Sequence, residues 1–378
     1  MKMAQLVPRF NAEKHALARP QLISVQYLRA IAALTVLVTH VLQWPLGEMQ
    51  NVLISTGRLG VEIFFVLSGF IITIIGGAGR FEPFAFARNR VGRIVPIYWL
   101  ATFLVVGLAT AMPSKFRTTV PTLEGIVKSL LFIPSDVPKA PLLTLGWTLD
   151  FEMLFYLVFG SLFFVKSGAR AAIITVLFTT LMISGRIMTD QSHIQAFYTS
   201  LSLLGFVVGV AVGLCYQLGW LQRTSWAASG ILMFAGALSL GVFYYVTLYL
   251  DQERYLHLDQ ERCLPLFHAS MSFGAMTIVF SLLRLESNGR LPTIPALHFL
   301  GDASYSLYLF HIFAVSAVWA FASKFFAPLS WASYLFFTVA TIMAGLLIGI
   351  LAYWYLERPI LNWTRRRRRL VPVREAVS

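Results

Sequence analysis

Apolar residues run along this chain in blocks of about twenty, separated by short polar interruptions, and that pattern predicts the architecture before any motif is weighed. A hydrocarbon core about 30 Å thick takes ~20 apolar residues to cross as a helix. Ten stretches have that length, near 23–44, 59–76, 94–112, 145–165, 171–187, 196–217, 226–250, 264–283, 301–323 and 331–356. The run "LEGIVKSLLFI" (123–133) is too short and too punctuated to cross, and reads as an interfacial helix. No internal repeat, low-complexity tract or long linker separates the blocks. The expected fold is an all-α integral membrane protein of about ten transmembrane helices. It divides into a basic N-terminal segment (1–22), one membrane domain (23–360) and a basic tail (361–378).

Composition agrees with the pattern. The chain is 57% hydrophobic and 12% charged, more apolar than a soluble domain needs. Charge then sets an orientation. With the N-terminus inside, most of the 30 Lys and Arg fall on the cytoplasmic side: up to Arg29, across 80–93, and from Arg358 onward. Both termini are therefore expected in the cytoplasm, and the chain as a multi-pass protein of the cell (inner, plasma) membrane. The first span is too long for a cleaved signal peptide, and no small-x-small site follows it. The run "RRRRR" (365–369) follows a spanning helix directly, so its expected partner is the anionic lipid of the inner leaflet, not nucleic acid. Trp44, Trp99, Trp147, Trp220 and Trp331 fall near span ends, as interface anchors do. Cys215 and Cys263 lie at opposite ends of their spans and cannot pair. No metal spacing exists, so neither a disulfide nor a metal is expected, and no cofactor is read into the chain.

Ionisable residues inside the spans carry the candidate chemistry. Arg29 and His40 are eleven residues apart, roughly 16 Å along one helix and on one face of it. Singly, Arg29 can snorkel to the inner headgroups and His40 can satisfy a nearby carbonyl. Sharing a face, they read as the two ends of one lined cavity. Glu62, Asp150 and Glu152 are expected at the outer-leaflet depth of His40, where ionisable groups are costly unless they face each other or water. A histidine beside a carboxylate is the usual build of a general base. Asp150 and Glu152 are two apart and cannot share a helical face. Glu152, near Trp147 and Tyr156, takes the inward role, and Asp150 is left for headgroups or a loop. On the cytoplasmic side Arg90 and Arg93 are three apart, and guanidinium forks at that spacing suit phosphate oxygens. Arg88 beside them is explained as well by the positive-inside bias. His311 lies mid-span with Ser304 two turns earlier, and reads equally as helix packing or substrate contact. Glu357 and Arg358 precede Pro359 and read as cap and anchor of the last helix. His268 is a weaker cavity candidate.

These residues sit in stretches that resemble the acyltransferase-3 group of membrane O-acyltransferases, which modify exopolysaccharides, O-antigens and Nod factors. "YLRAIAALTVLVTH" is similar to the family's Arg-x10-His element, ending at Arg29 and His40. "GVEIFFVLSGFIIT" resembles the second-span signature, with Glu62 where many members have Asp. "RNRVGRIVPIYW" fits the Arg-x-x-Arg element at Arg90 and Arg93, and "GWTLDFEMLFYL" the Trp-Ser-Leu-x-x-Glu pattern, with Thr148 for Ser and Glu152 in register. "LGDASYSLYLFHIF" and "LERPI" resemble the last two signatures. The resemblance implies an acyl-CoA donor, acetyl-CoA first, as substrate and not as bound cofactor. Its phosphates would lie near Arg90, Arg93 and Arg88, and its pantetheine arm would pass Arg29. His40, with Glu62 and Glu152, would serve transfer to a hydroxyl of a polysaccharide or lipid-linked oligosaccharide. Asp150, Trp147, Ser304, Tyr305 and His311 would line the cavity. Whether His40 is base or acyl carrier, and what stabilises the oxyanion, stays open. Several relatives carry a fused hydrolase-like domain. This chain stops at Ser378, so the membrane domain acts alone or with a separate partner from polysaccharide-assembly machinery.

Two other classes compete. A proton-coupled transporter also places His, Glu and Arg in ten helices, but no inverted repeat or matched pair of broken helices is evident. A non-catalytic assembly scaffold leaves the intramembrane charges unexplained.

Overall fold

The computed structural model describes residues 22–369, apart from 44, 46–49, 78–80, 115, 117–118, 135–140, 253–259 and 327–329. Side chains are described throughout these except at 50–53, 249–252, 260–263 and 365–369. Trp44, Cys263, most of the basic N-terminal segment, the arginines of the 365–369 run and the last nine residues thus lie outside the described ones. Among the described residues there is no strand. The helices are α1 (Ile23–Leu42), α2 (Gln50–Gly77), α3 (Pro83–Ala111), α4 (Leu123–Leu130), α5 (Gly146–Ser161), α6 (Ser167–Ile187), α7 (His193–Tyr198), α8 (Leu204–Gln217), α9 (Trp220–Arg223), α10 (Trp226–Gln252), α11 (Gln260–Ser287), α12 (Pro295–Asp302), α13 (Ser304–Phe325), α14 (Trp331–Ala352) and α15 (Arg358–Arg369). One π-helical turn, Tyr353–Glu357, joins α14 to α15.

Among the described residues, nine helical stretches are long and apolar enough to cross a membrane. The expected span at 145–165 is a shorter element: α5 has 16 residues, roughly 24 Å of helix. The break that follows it is tied down by a side chain. Arg170, one turn into α6, folds back so that Nε donates to the Leu162 carbonyl and Nη2 to those of Phe163 and Val165. Together with Val165 N, which donates to Leu162 O (3.1 Å), the guanidinium satisfies carbonyls at the break after Ser161. The expected span 196–217 is likewise α7, a 3-10 turn at Leu201–Leu203, and α8. The interfacial helix is found as α4, capped by Thr122, and it closes at Leu130 because Phe132 adopts a positive φ of 57°.

α1 stands in the centre of the bundle, against α2, α11, α12, α13 and α14. We call the end of the bundle where α1 begins the lower end, and the end where it finishes the upper end. The orphan amides at its start are satisfied from a distant helix. Glu286 of α11 accepts from Ile23 N (2.7 Å) and Ser24 N (3.0 Å), and from the Ser24 hydroxyl. A carboxylate at a helix N-terminus also answers the positive end of the helix dipole. Glu357 does the same for α13, accepting from Ser306 N (3.2 Å) and Ser306 Oγ (2.6 Å). The sequence reading of Glu357 as a cap of its own helix is corrected accordingly.

α2 and α8 form a close pair through glycines. Gly205, Gly209 and Gly213 recur every four residues along one face of α8. A Cβ on Gly209 would overlap the Val66 carbonyl, and one on Gly69 the backbone of Phe206 and Gly209. Without a hydrophobic drive between helices in lipid, small residues at such a seam let backbones meet. The seam fixes the depth of α2, and with it the site.

Candidate active site

His40, in the last turn of α1, lines an upper cavity of about 280 Å³ with Val36, Thr39, Gln43, Arg58, Val61, Thr144, Leu145, Trp147 and Tyr308 among its neighbours. Its ring partner is His311 of α13, with centroids 5.1 Å apart. The hydrogen-bond pattern assigns both tautomers. His311 Nδ1 lies 2.9 Å from the Leu307 carbonyl, which can accept but not donate. His311 Nδ1 therefore carries the hydrogen, and Nε2 the lone pair. His40 Nδ1 lies 2.9 Å from the Val36 carbonyl and 3.2 Å from His311 Nε2, both acceptors. His40 Nδ1 is thus also the protonated nitrogen, shared between them. The lone pair of His40 is left on Nε2, as a base requires.

The histidine–carboxylate pair expected from the sequence is not what the fold builds. Glu62 is 2% exposed and turns to α11, where Ser272 Oγ donates to it; Gly205 of α8 leaves the space for its carboxylate. Asp150 is 3% exposed and so is not turned to headgroups; its Oδ1 has no hydrogen-bond partner among the described residues. Glu152 lies at a different depth, in a lower cavity of about 90 Å³. There it accepts from Ser68 Oγ (3.2 Å) and from the Tyr156 hydroxyl.

The lower cavity gathers the arginines. Arg29, Arg90 and Arg93 line it with Glu152, Ser304 and Tyr305. Arg90 is held against the rings of Tyr156 and Phe86, with centroids 5.3 and 5.7 Å from its guanidinium carbon. Tyr305 donates to the Ile94 carbonyl (2.7 Å), and Ser304 Oγ is buried without a partner among the described residues. Arg88 is exposed and lines neither cavity. The two cavities abut, because Val61 and Tyr308 belong to both. The Tyr308 hydroxyl is fixed there by Thr148 Oγ1 (2.8 Å) and the Leu145 carbonyl (3.2 Å). A threonine at 148 therefore keeps the hydroxyl in use.

Residues 22–354 match the family model described as an acyltransferase domain, Acyl_transf_3. The chain belongs to this acyltransferase family. The exopolysaccharide production protein ExoZ of Rhizobium meliloti (strain 1021) is 38% identical over 320 residues, 83% of this chain and 92% of that protein. The acyltransferase MdmB of Streptomyces mycarofaciens is 27% identical over 258 residues, 59% of this chain and 63% of its own. No solved structure matches. The protein is thus a multi-pass membrane acyltransferase.

In this acyltransferase the sequence reading missed one pairing and two residues, Tyr308 and Arg58. His311 was flagged, but its pairing with His40 joins helices 271 residues apart in sequence. Tyr308 lies in the quoted stretch "LGDASYSLYLFHIF", but nothing in that stretch singled it out from Tyr305. Arg58 did offer a signal, since it stands inside the second span one turn before Glu62. Trp147, expected as an interface anchor, is turned inward onto Phe65 and Phe151. Trp220 and Trp331, by contrast, are exposed as anchors are.

Proposed function

We propose that this acyltransferase moves an acetyl group from cytoplasmic acetyl-CoA to a hydroxyl of an exported polysaccharide or its lipid-linked precursor, across the cell membrane. The observation that carries the reading is the lone pair on His40 Nε2, set in a cavity that abuts an arginine-lined one. Arg29, Arg88, Arg90, Arg93, Lys166, Arg223 and Arg284 gather at the lower end, which supports a cytoplasmic lower face. CoA phosphates suit the paired guanidinium groups of Arg90 and Arg93. The thioester then advances past Arg29 and Ser304 to the septum at Val61 and Tyr308. An acceptor hydroxyl in the upper cavity attacks the carbonyl carbon while His40 Nε2 takes its proton. As the tetrahedral intermediate collapses, the C–S bond breaks and the same proton passes from His40 to the departing CoA sulfur. The products are ester and free thiol. The charge on the transient imidazolium is spread through Nδ1–H to the Val36 carbonyl and to His311.

That the ExoZ relative is an exopolysaccharide production protein supports an exopolysaccharide as acceptor. The deciding experiment follows radiolabel from acetyl-CoA into surface glycan in cells with and without the gene. Label that appears in glycan to the same extent in both would end the reading.

A further inference from the structure

The upper cavity holds a cation that the transfer step does not use. Arg58 of α2 lines it beside His40, Gln43, Thr144 and Trp147. Its guanidinium carbon lies 5.9 Å from the ring centroid of Trp147 and 5.9 Å from that of Phe267. Two rings thus flank the weakly hydrated group, and among the described residues no acceptor claims its N–H edge. Among the described residues, no carboxylate stands within ion-pair distance of it. Glu62, one turn on along α2, is committed to Ser272, and the ionisable neighbour presented by α11 is His268, whose Nδ1 is buried without a partner among the described residues. A cation kept inside a membrane span is costly, and such residues mark the paths of ligands. Trp147 is held edge-on by Phe65 and Phe151, so its ring is a fixed wall of the same cavity.

We propose that the upper cavity is a subsite for an acidic acceptor. Arg58 grips an oxyanion carried by the acceptor, a carboxylate or a phosphate, and Trp147 lies against the adjoining sugar ring. The assignment rests on the reading of His40 as the acceptor's base: anchoring the anion sets which hydroxyl meets Nε2. Two sources supply that chemistry, an acidic sugar within the glycan and the diphosphate that joins a glycan to its lipid carrier.

Equilibrium binding to the purified full-length protein, without acyl donor, separates them. One pair of probes is a glucuronate-containing oligosaccharide and its carboxyl-reduced form. The other is a polyprenyl-diphosphate-linked oligosaccharide and the uncharged prenyl glycoside of the same sugar. One charged probe should bind about ten- to a hundredfold tighter than its neutral partner, the usual worth of a hydrogen bond to a charged group. Which pair shows it names the source. Arg58→Leu should bring that ratio close to one, and Arg58→Lys should keep part of it. Acetyl-CoA affinity, measured on the same samples, reports that each variant is folded. Equal binding within both pairs overturns the subsite, as does a charged preference that survives Arg58→Leu. Charge-dependent binding with no acetyl transfer to the bound probe would instead sink the transfer reading and leave the subsite standing.

Discussion

A neutral histidine has one hydrogen and one lone pair to place, and in α1 a backbone carbonyl settles which nitrogen gets which. Val36 takes the Nδ1 hydrogen of His40, so Nε2 is the basic atom without help from any carboxylate. His40→Ala should lower transfer about 10²–10⁴-fold, the range for positioned proton transfer, with acetyl-CoA binding retained. Parallel loss of donor binding would show the residue to be structural. His311→Leu keeps volume in a fully buried position but removes an acceptor for the charged ring. Its expected effect is roughly 10–100-fold on kcat, with little change in donor KM. At the lower cavity, Arg90→Ala should weaken acetyl-CoA binding by about 1.5–3 kcal/mol and touch the saturated rate less. Isothermal titration of both arginine variants checks this, and unchanged affinity in Arg90→Ala and Arg93→Ala would remove the pair from the donor site. The sequence showed which ionisable residues were anomalous, because each charge in an apolar run stands out. It did not show their partners. Glu62 finds Ser272 across 210 residues and His40 finds His311 across 271, and helical periodicity is silent on such distances.

At the scale of elements, length and apolarity were legible nearly everywhere, and the departures have chemical causes. The break after α5 is tied down by Arg170, which donates to the carbonyls of Leu162, Phe163 and Val165. α1 and α13 start where they do because Glu286 and Glu357, from other helices, supply the caps. Neither event leaves a local mark in the run it ends or begins. The α2–α8 seam did leave one, the four-residue glycine spacing at 205, 209 and 213. Gly209→Val should force the two helices apart, since the obstacle is Val66 backbone and not a movable side chain. A loss of about 1–3 kcal/mol is expected, the usual cost of overpacking. Gly107→Ala is the control, because a Cβ there meets nothing within 4 Å. Thermal unfolding in detergent, followed by tryptophan fluorescence, should show a lower midpoint for the first and none for the second.

For the whole molecule, the basic lower end predicts a sidedness that labelling can read. In a background with both cysteines replaced by serine, Lys166→Cys should resist an impermeant thiol reagent applied to intact cells, and Asp190→Cys should react. Both positions are exposed at loops on opposite ends of α6, so the reverse pattern would invert the orientation. The shared wall between the cavities has a further consequence, which concerns insulation. On the proposed reading the two cavities open to opposite compartments and meet at Val61 and Tyr308, which makes this enzyme a plugged conduit. On that reading the septum must part for a thioester yet hold back protons, or turnover would dissipate any proton gradient across the membrane. Vesicles bearing Tyr308→Ala together with Val61→Gly, loaded with a pH-sensitive dye, should lose an imposed pH difference faster than vesicles bearing the intact protein.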